Sequence, residues 1–495
     1  MAYSVNLDDV SRLREALRRA DFTADGVSCA LGPVESAALA REQVVPALKA
    51  TTGGTPLETL IRVFLLGGTE PRSAVEHALQ PLPLESALAR RLVETHDGGV
   101  WATLEVRPYA DEAHSWWVVS DLGTDVRPGS LPADHVLGIG GASVTLAQWT
   151  VRPKVAAALD IGTGCGVQSL HLSQHSGRVT ATDRNPRALE LAALTAALGD
   201  LEWELLEGDL LEPVKNRTFD LIVSNPPFVV GPPSRSHLYR DGGLAGDAVS
   251  EQLIRTTQRH LAEDGWCQLL ANWVHVDGAD WRDRVQSWLP KTGLDAWVVQ
   301  REVQDPADYV EMWLRDSGEA TGPAYHHRYA AWLDWFAAQG ITAVGFGVVN
   351  LHNSGRDDPA IVVEELTQRI EPPIGSQVLD WFARQHRLLD ADRRDSGLLG
   401  VRLTCPPRVR LEQIAAAGAD GWVVTGQRLL GGLGPAIEID PIGAALVSGA
   451  DGQVALWQQL EILAAAYDLD VDELTAGALP AIRRLVQTGF LDLAP

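Results

Sequence analysis

Ala158-Leu159-Asp160-Ile161-Gly162-Thr163-Gly164-Cys165-Gly166 reads as an apolar strand that runs into a glycine-rich turn and then a helix. Glycine in such a turn lets the backbone adopt positive φ and pass close to a ligand. The spacing is G-x-G-x-G rather than the G-x-G-x-x-G of dinucleotide sites, and no Lys-Ser/Thr pair follows, which excludes a P-loop. Working outward, 156–160, 178–183, 201–206 and 219–224 are strand-like, with helical stretches at 166–174 and 186–198 between the first three. Further on, helices at 250–261, 281–289 and 325–339 alternate with strands at 266–274, 295–301 and 342–349. Strand and helix alternating through short connections predict a doubly wound α/β fold with a mainly parallel sheet.

The second strand ends at Asp183, followed by Arg184-Asn185-Pro186, and the third is followed by Glu207-Gly208-Asp209-Leu210. A carboxylate at the end of a second strand can accept both hydroxyl hydrogens of a ribose. Asp209 is placed to accept from an adenine amino group. A glycine loop, a ribose carboxylate and an adenine carboxylate after successive strands is the layout for S-adenosylmethionine. A dinucleotide-binding domain, or three unrelated loop carboxylates, would also account for these residues. The candidate cofactor-binding set is Asp160, Gly162, Thr163, Gly164, Cys165, Gly166, Asp183, Arg184, Asn185, Asp209, Leu210 and Asn225.

The fourth strand runs into Ser224-Asn225-Pro226-Pro227-Phe228. An amino group on a planar base or amide is a poor nucleophile because its lone pair is delocalised. The Asn225 carboxamide oxygen and the Pro226 carbonyl can each accept one amino hydrogen, which aims the nitrogen at a methyl donor. Positioning of this kind is a large catalytic effect. The two prolines stiffen the loop, and Phe228 can stack on a flat substrate. Asn225, Pro226, Pro227 and Phe228 are therefore the candidate catalytic residues. Phe228, Arg235, Tyr239 and Arg240 are the candidate substrate contacts, and no metal is expected. His326 and His327 adjoin in sequence and so do not face each other on a helix.

With these motifs quoted, residues 135–350 resemble the class I S-adenosylmethionine-dependent N-methyltransferases of the HemK and small methyltransferase type. The resemblance rests on DIGTGCG at 160–166, TDRNPRALELA at 182–192, EGDLLEP at 207–213, SNPPF at 224–228 and YRDGGLAG at 239–246. That group includes release-factor glutamine methyltransferases and ribosomal RNA guanine-N2 methyltransferases. With both flanks, the chain resembles a group of actinobacterial methyltransferases. The resemblance implies a seven-stranded Rossmann-like core with S-adenosylmethionine as cofactor. It also implies a planar amino nitrogen as target, most readily an exocyclic amine of ribosomal RNA (guanine N2 or adenine N6). A glutamine of a translation-factor protein or a small molecule is the alternative.

Three segments are expected: an N-terminal helical, winged-helix-like recognition unit at 1–134, the methyltransferase domain at 135–355, and a second helical, winged-helix-like unit at 356–495. The chain has 495 residues, 45% hydrophobic and 21% charged, enough to build full cores. It contains no run of about 18 uncharged apolar residues, so no membrane span is expected. The four cysteines form no C-x-x-C pair, and the N-terminus reads as a charged helix; both suit a cytoplasmic protein. The net charge of −24 is spread evenly, so a grip on RNA would need a local basic patch. Arg235, His237 and Arg240 form the best such cluster in the sequence.

Overall fold

The computed structural model describes residues 6–124, 126–127, 131–232, 246–289, 292–316, 324–368, 370, 372–394, 396–418, 421–431 and 436–494. The chain divides into two compact units. The first comprises Met1–Ala147, Arg152–Leu294 and Glu302–Asp357, and the second Gln148–Val151, Asp295–Arg301 and Asp358–Pro495.

Eight strands take the place of the seven expected. They are β1 (Val155–Ile161), β2 (Ser176–Asp183), β3 (Trp203–Glu207), β4 (Phe219–Ser224), β5 (Leu261–Val276), β6 (Asp295–Gln304), β7 (Ile341–His352) and β8 (Ile361–Glu365). In the first unit six of them follow the order β7-β5-β4-β1-β2-β3. All neighbours there are parallel except β5 and β7, which pair antiparallel. The order reverses between β1 and β4, and the carboxyl ends beside that reversal are where open α/β sheets hold ligands. Register aligns those ends: Ile161 lies opposite Ser224 on one side and Thr182 on the other, and Asp183 lies opposite Glu207.

Local chemistry explains the helices that flank this end. Asn185 caps the helix Pro186–Leu198 by accepting from the Arg187 N–H at 3.1 Å, and Pro186 occupies the first turn, where its missing N–H costs nothing. The helix Val167–Leu172 begins directly after Gly166 at φ 92°. There an added Cβ would lie 2.6 Å from the Trp203 ring, so both the turn and the packing require glycine.

The N-terminal segment forms seven short helices between Leu7 and Ala89, followed by the strand pairs Val93–His96 with Gly99–Ala102 and Leu104–Ala110 with Ser115–Asp121. Its apolar core is continuous with that of the sheet layer. Val10, Leu13, Phe64 and Val119 share one cluster with Cys165, Val167, Leu170, Leu191 and Leu198. The Val119 N–H donates to the Thr195 hydroxyl at 3.1 Å, and Arg14 donates to the Ala197 carbonyl at 2.6 Å.

In the second unit, β8 pairs parallel with Ala296–Gln300 of β6. Trp297 stacks on Trp381 of the helix Gly375–Asp392, with ring centroids 4.6 Å apart. The remainder packs the helices Pro441–Ser448, Leu456–Tyr467 and Val471–Gln487 with two small three-stranded sheets around Leu403, Leu460, Leu485 and Phe490. These helical flanks therefore carry β-structure as well.

Candidate active site

Asp160 is almost fully buried at the end of β1. Its Oδ2 accepts from the Thr163 hydroxyl at 2.7 Å, the Ser169 hydroxyl at 2.7 Å and the Ser169 N–H at 3.1 Å. One carboxylate oxygen thus ties the glycine turn to the helix after it. Burial is the main influence on this carboxyl and raises its pKa to about 6. Its Oδ1 is also buried and has no hydrogen-bond partner among the described residues.

Gly162 and Gly164 adopt φ of 70° and 55°. A Cβ on Gly164 would meet nothing within 4 Å, and one on Gly162 only the Asn225 carbonyl at 3.9 Å. The backbone there faces open space. Asp183 closes the other side: its Oδ2 accepts from the Gly164 N–H at 2.9 Å and its Oδ1 from the Asn185 N–H at 2.8 Å. Burial raises this carboxyl's pKa, against the opposing pull of those bonds. With the Arg184 N–H also drawn to it, the carboxylate still keeps a lone pair for a hydroxyl.

The remaining predicted cofactor residues play unequal parts. Asn185 has both ends of its amide occupied, by Arg187 N–H and by donation to the Asp134 carbonyl at 2.8 Å, so it braces the loop. Arg184 lies half-buried between Asp183 and Asn185. Asp209 is exposed in a cleft with Lys215, Arg259 and His260. Leu210 takes a positive φ of 46°, and its carbonyl accepts from the Thr182 hydroxyl at 3.2 Å. Cys165 is buried, and burial pushes its thiol to about 12, which removes it as a nucleophile.

Asn225 follows β4 directly, at the reversal of strand order. The Ser224 hydroxyl donates to the Ile161 carbonyl at 2.9 Å, clamping the ends of β4 and β1 together. Asn225, Pro227 and Phe228 are half-buried, and Pro226 is buried. Among the described residues the Asn225 carboxamide makes no hydrogen bond. Arg235, Tyr239 and Arg240, with His237, lie outside the described residues.

Sequence reading missed the supports of this constellation: Ser169, Ser224 and Thr182. Serine and threonine at strand ends give no spacing signal; only the register brings Ser224 beside Ile161.

Reversed strand order, an open glycine turn and an acidic end to β2 together define a Rossmann-like arrangement for a nucleoside-containing cofactor. Residues 140–276 match the family model described as methyltransferase small domain. Two further models, each described as a domain of unknown function, match residues 19–103 and 379–492. Ribosomal RNA small subunit methyltransferase C of Salmonella choleraesuis is 32% identical over 219 residues, 42% of this chain and 58% of that protein. The protein of the same name from Salmonella paratyphi B is 31% identical over 218 residues, 43% and 58% of the two chains. The chain thus spans a little over half the length of these curated relatives. Among solved structures, a methyltransferase from Pyrococcus furiosus is 17% identical, with a TM-score of 0.27 over 42% of this chain and 80% of that one. A T. thermophilus 16S rRNA N2 methyltransferase, solved in complex with AdoMet and guanosine, is 16% identical, with a TM-score of 0.26 over 50% and 65%.

The residues present fit S-adenosylmethionine. Gly162 and Gly164 leave room at the turn, the buried Asp160 Oδ1 is an acceptor in need of a donor, and Asp183 retains a lone pair at the end of β2. Among the described residues no helix is long and apolar enough to cross a membrane.

Proposed function

We propose that this chain is a cytoplasmic S-adenosylmethionine-dependent N-methyltransferase that acts on an exocyclic base amine of ribosomal RNA, guanine N2 or adenine N6. The observation that carries the reading is the uncommitted Asn225 carboxamide, held after β4 beside the open glycine turn by the Ser224–Ile161 bond. The names of the curated relatives, which match 42–43% of the chain, support an RNA substrate over a protein one.

When bound, the cofactor supplies an electrophilic methyl group on sulfonium. Asp183 orients the ribose, Asp209 the adenine, and the turn 162–166 lets the backbone approach the methionine portion. Asn225 Oδ1 and the Pro226 carbonyl each accept one hydrogen of the target amine and hold its nitrogen in line with the methyl group. Such positioning is worth several kcal/mol of barrier. The ammonium formed is acidic and loses its proton without a strong base. Phe228 stacks on the base, which must be turned out where it lies in a helix. The segments 1–134 and 356–495 serve target recognition, and Arg235, Tyr239 and Arg240 supply contacts to the substrate.

The test is transfer of labelled methyl from the cofactor to ribosomal subunits and, separately, to a purified release factor. Label recovered as a methylated guanine or adenine nucleoside is expected. Label in the release factor alone would establish the glutamine reading instead, and label in neither would point to a small molecule.

A further inference from the structure

The six residues from Asn225 to Val230 have no regular secondary structure, yet they are tethered at both ends. The Ser224 hydroxyl holds the entry to the Ile161 carbonyl. At the exit, the Val230 N–H donates to the Tyr309 hydroxyl at 2.8 Å, and the Asn272 amide donates to the same oxygen at 3.1 Å. Tyr309, Val230 and Asn272 are all buried. One residue further, Gly231 packs so closely on Trp332 that a Cβ would lie 3.1–3.4 Å from three ring carbons.

Tyr309 is itself rigidly placed. Asp305 opens the helix Pro306–Asp316 by accepting from the Ala307 and Asp308 N–H groups at 2.8 and 3.0 Å, and Pro306 fills the first turn. The Tyr309 ring meets Phe336, Trp313 and Phe346 with centroids 6.1, 6.2 and 5.5 Å apart. Its hydroxyl is therefore a fixed point linking this helix, β5 and the end of the Asn-Pro-Pro-Phe loop. Phe228 lies only two residues from Val230, and Pro226 and Pro227 remove two φ rotations between Phe228 and Asn225, so a displacement at Val230 is carried on toward Asn225. The cofactor turn hangs on β1 and β2 and has no share in this tether.

We infer that Tyr309 is a positioning residue for methyl transfer, setting the place of Phe228 and Asn225 through its hydrogen bond to Val230. The catalytic part of this inference rests on the role proposed above for Asn225; the tether does not. Tyr309→Phe keeps the packed ring and removes only the oxygen. In the full-length protein the expected result is a fall in kcat of about 100-fold, the scale of an ångström-sized misplacement. Cofactor affinity by calorimetry is expected to stay within about twofold. Amide exchange at Val230 should speed up by about tenfold, the worth of one hydrogen bond.

Phe336→Leu, which loosens the same aromatic cluster but keeps the hydroxyl, is expected to lower the melting temperature at least as much as Tyr309→Phe while sparing kcat. An equal loss of kcat in both variants would make Tyr309 a packing residue and overturn the inference, as would unchanged kcat in Tyr309→Phe. Should the wild-type protein methylate neither RNA nor a release factor, the proposed function fails, and exchange at Val230 still decides the tether: faster in Tyr309→Phe supports it, unchanged refutes it.

Discussion

The Ser224 hydroxyl reaches the Ile161 carbonyl across 2.9 Å and joins the carboxyl ends of the two strands between which the sheet order reverses. One strand then leads into the glycine turn and the other into Asn225. The glycine turn and the start of the Asn-Pro-Pro-Phe loop are therefore fixed to each other by this side-chain bond and the ladder below it.

Asn225→Ala removes the acceptor proposed to aim the amine but leaves the β1 and β2 loops intact. Methyl transfer should fall by about 100-fold or more, with cofactor affinity nearly unchanged. Single-turnover transfer with the labelled cofactor, paired with calorimetry, separates the two quantities. Appreciable turnover in the variant would show that the nitrogen is aimed by other groups.

Asp183→Ala removes the proposed ribose acceptor and also frees the Gly164 and Asn185 N–H groups that its oxygens hold. Hydrogen bonds to a charged group are worth about 1.5–3 kcal/mol, so cofactor affinity should weaken by about 10- to 100-fold by calorimetry. Asp183→Asn, which retains one acceptor oxygen, should lose less. Equal binding by Asp183→Ala and wild type would dismiss the assignment.

The glycines at 164 and 166 should separate in their effects. Gly166→Ala meets the Trp203 ring as well as a positive φ, and should lower stability by about 1–3 kcal/mol in urea unfolding, the usual cost of overpacking. Gly164→Ala meets open space, pays about 1 kcal/mol for its φ, and should instead weaken cofactor binding. Reversal of that pattern would place the ligand elsewhere.

Asp160 predicts a pH signature. Its pKa lies at about 6 in the folded protein against 3.8 ordinarily, chiefly through burial, so between these values the folded state binds the extra proton. Stability from this group is full below about 4 and is lost as pH rises through 6, up to about 3 kcal/mol. Asp160→Asn cannot titrate. The stability difference between wild type and variant should therefore drop between pH 4 and 6 and stay flat above. A pH-independent difference would mean that the carboxyl is not desolvated in solution.

Strands whose apolar runs are bounded by turns were legible, and 219–224 coincides with β4 end for end. Asp470, whose residue type and place before the run 471–474 suggest a helix cap, accepts from the Asp472 and Glu473 N–H groups. The helix it opens was not legible as one piece. The sequence reads as two helical pieces, 469–474 and 481–488, on either side of Pro480, yet one helix runs from Val471 to Gln487, because Ile482, Leu485 and Val486 bury their side chains in the core beyond the proline. The eighth strand escaped for a related reason. The Gly355-Arg356-Asp357-Asp358-Pro359 run resembles a linker, and the short Ile361–Glu365 segment behind it becomes a strand by pairing with β6, far away in sequence.

By itself the sequence determined what local chemistry can encode: the alternation of strands and helices, the glycine turn, the order of the loop carboxylates and the Asn-Pro-Pro-Phe loop. Those signals lie within a few residues of one another and follow from backbone freedom, periodicity and side-chain chemistry. Tertiary structure alone decided which polar groups hold the glycine turn and that loop. Ser224 with Ile161, Val230 with Tyr309, and Asp160 with Ser169 are ordinary residues until register and packing bury them together. In that dry setting each bond left unmade carries the full cost of desolvation, and the site acquires a single shape.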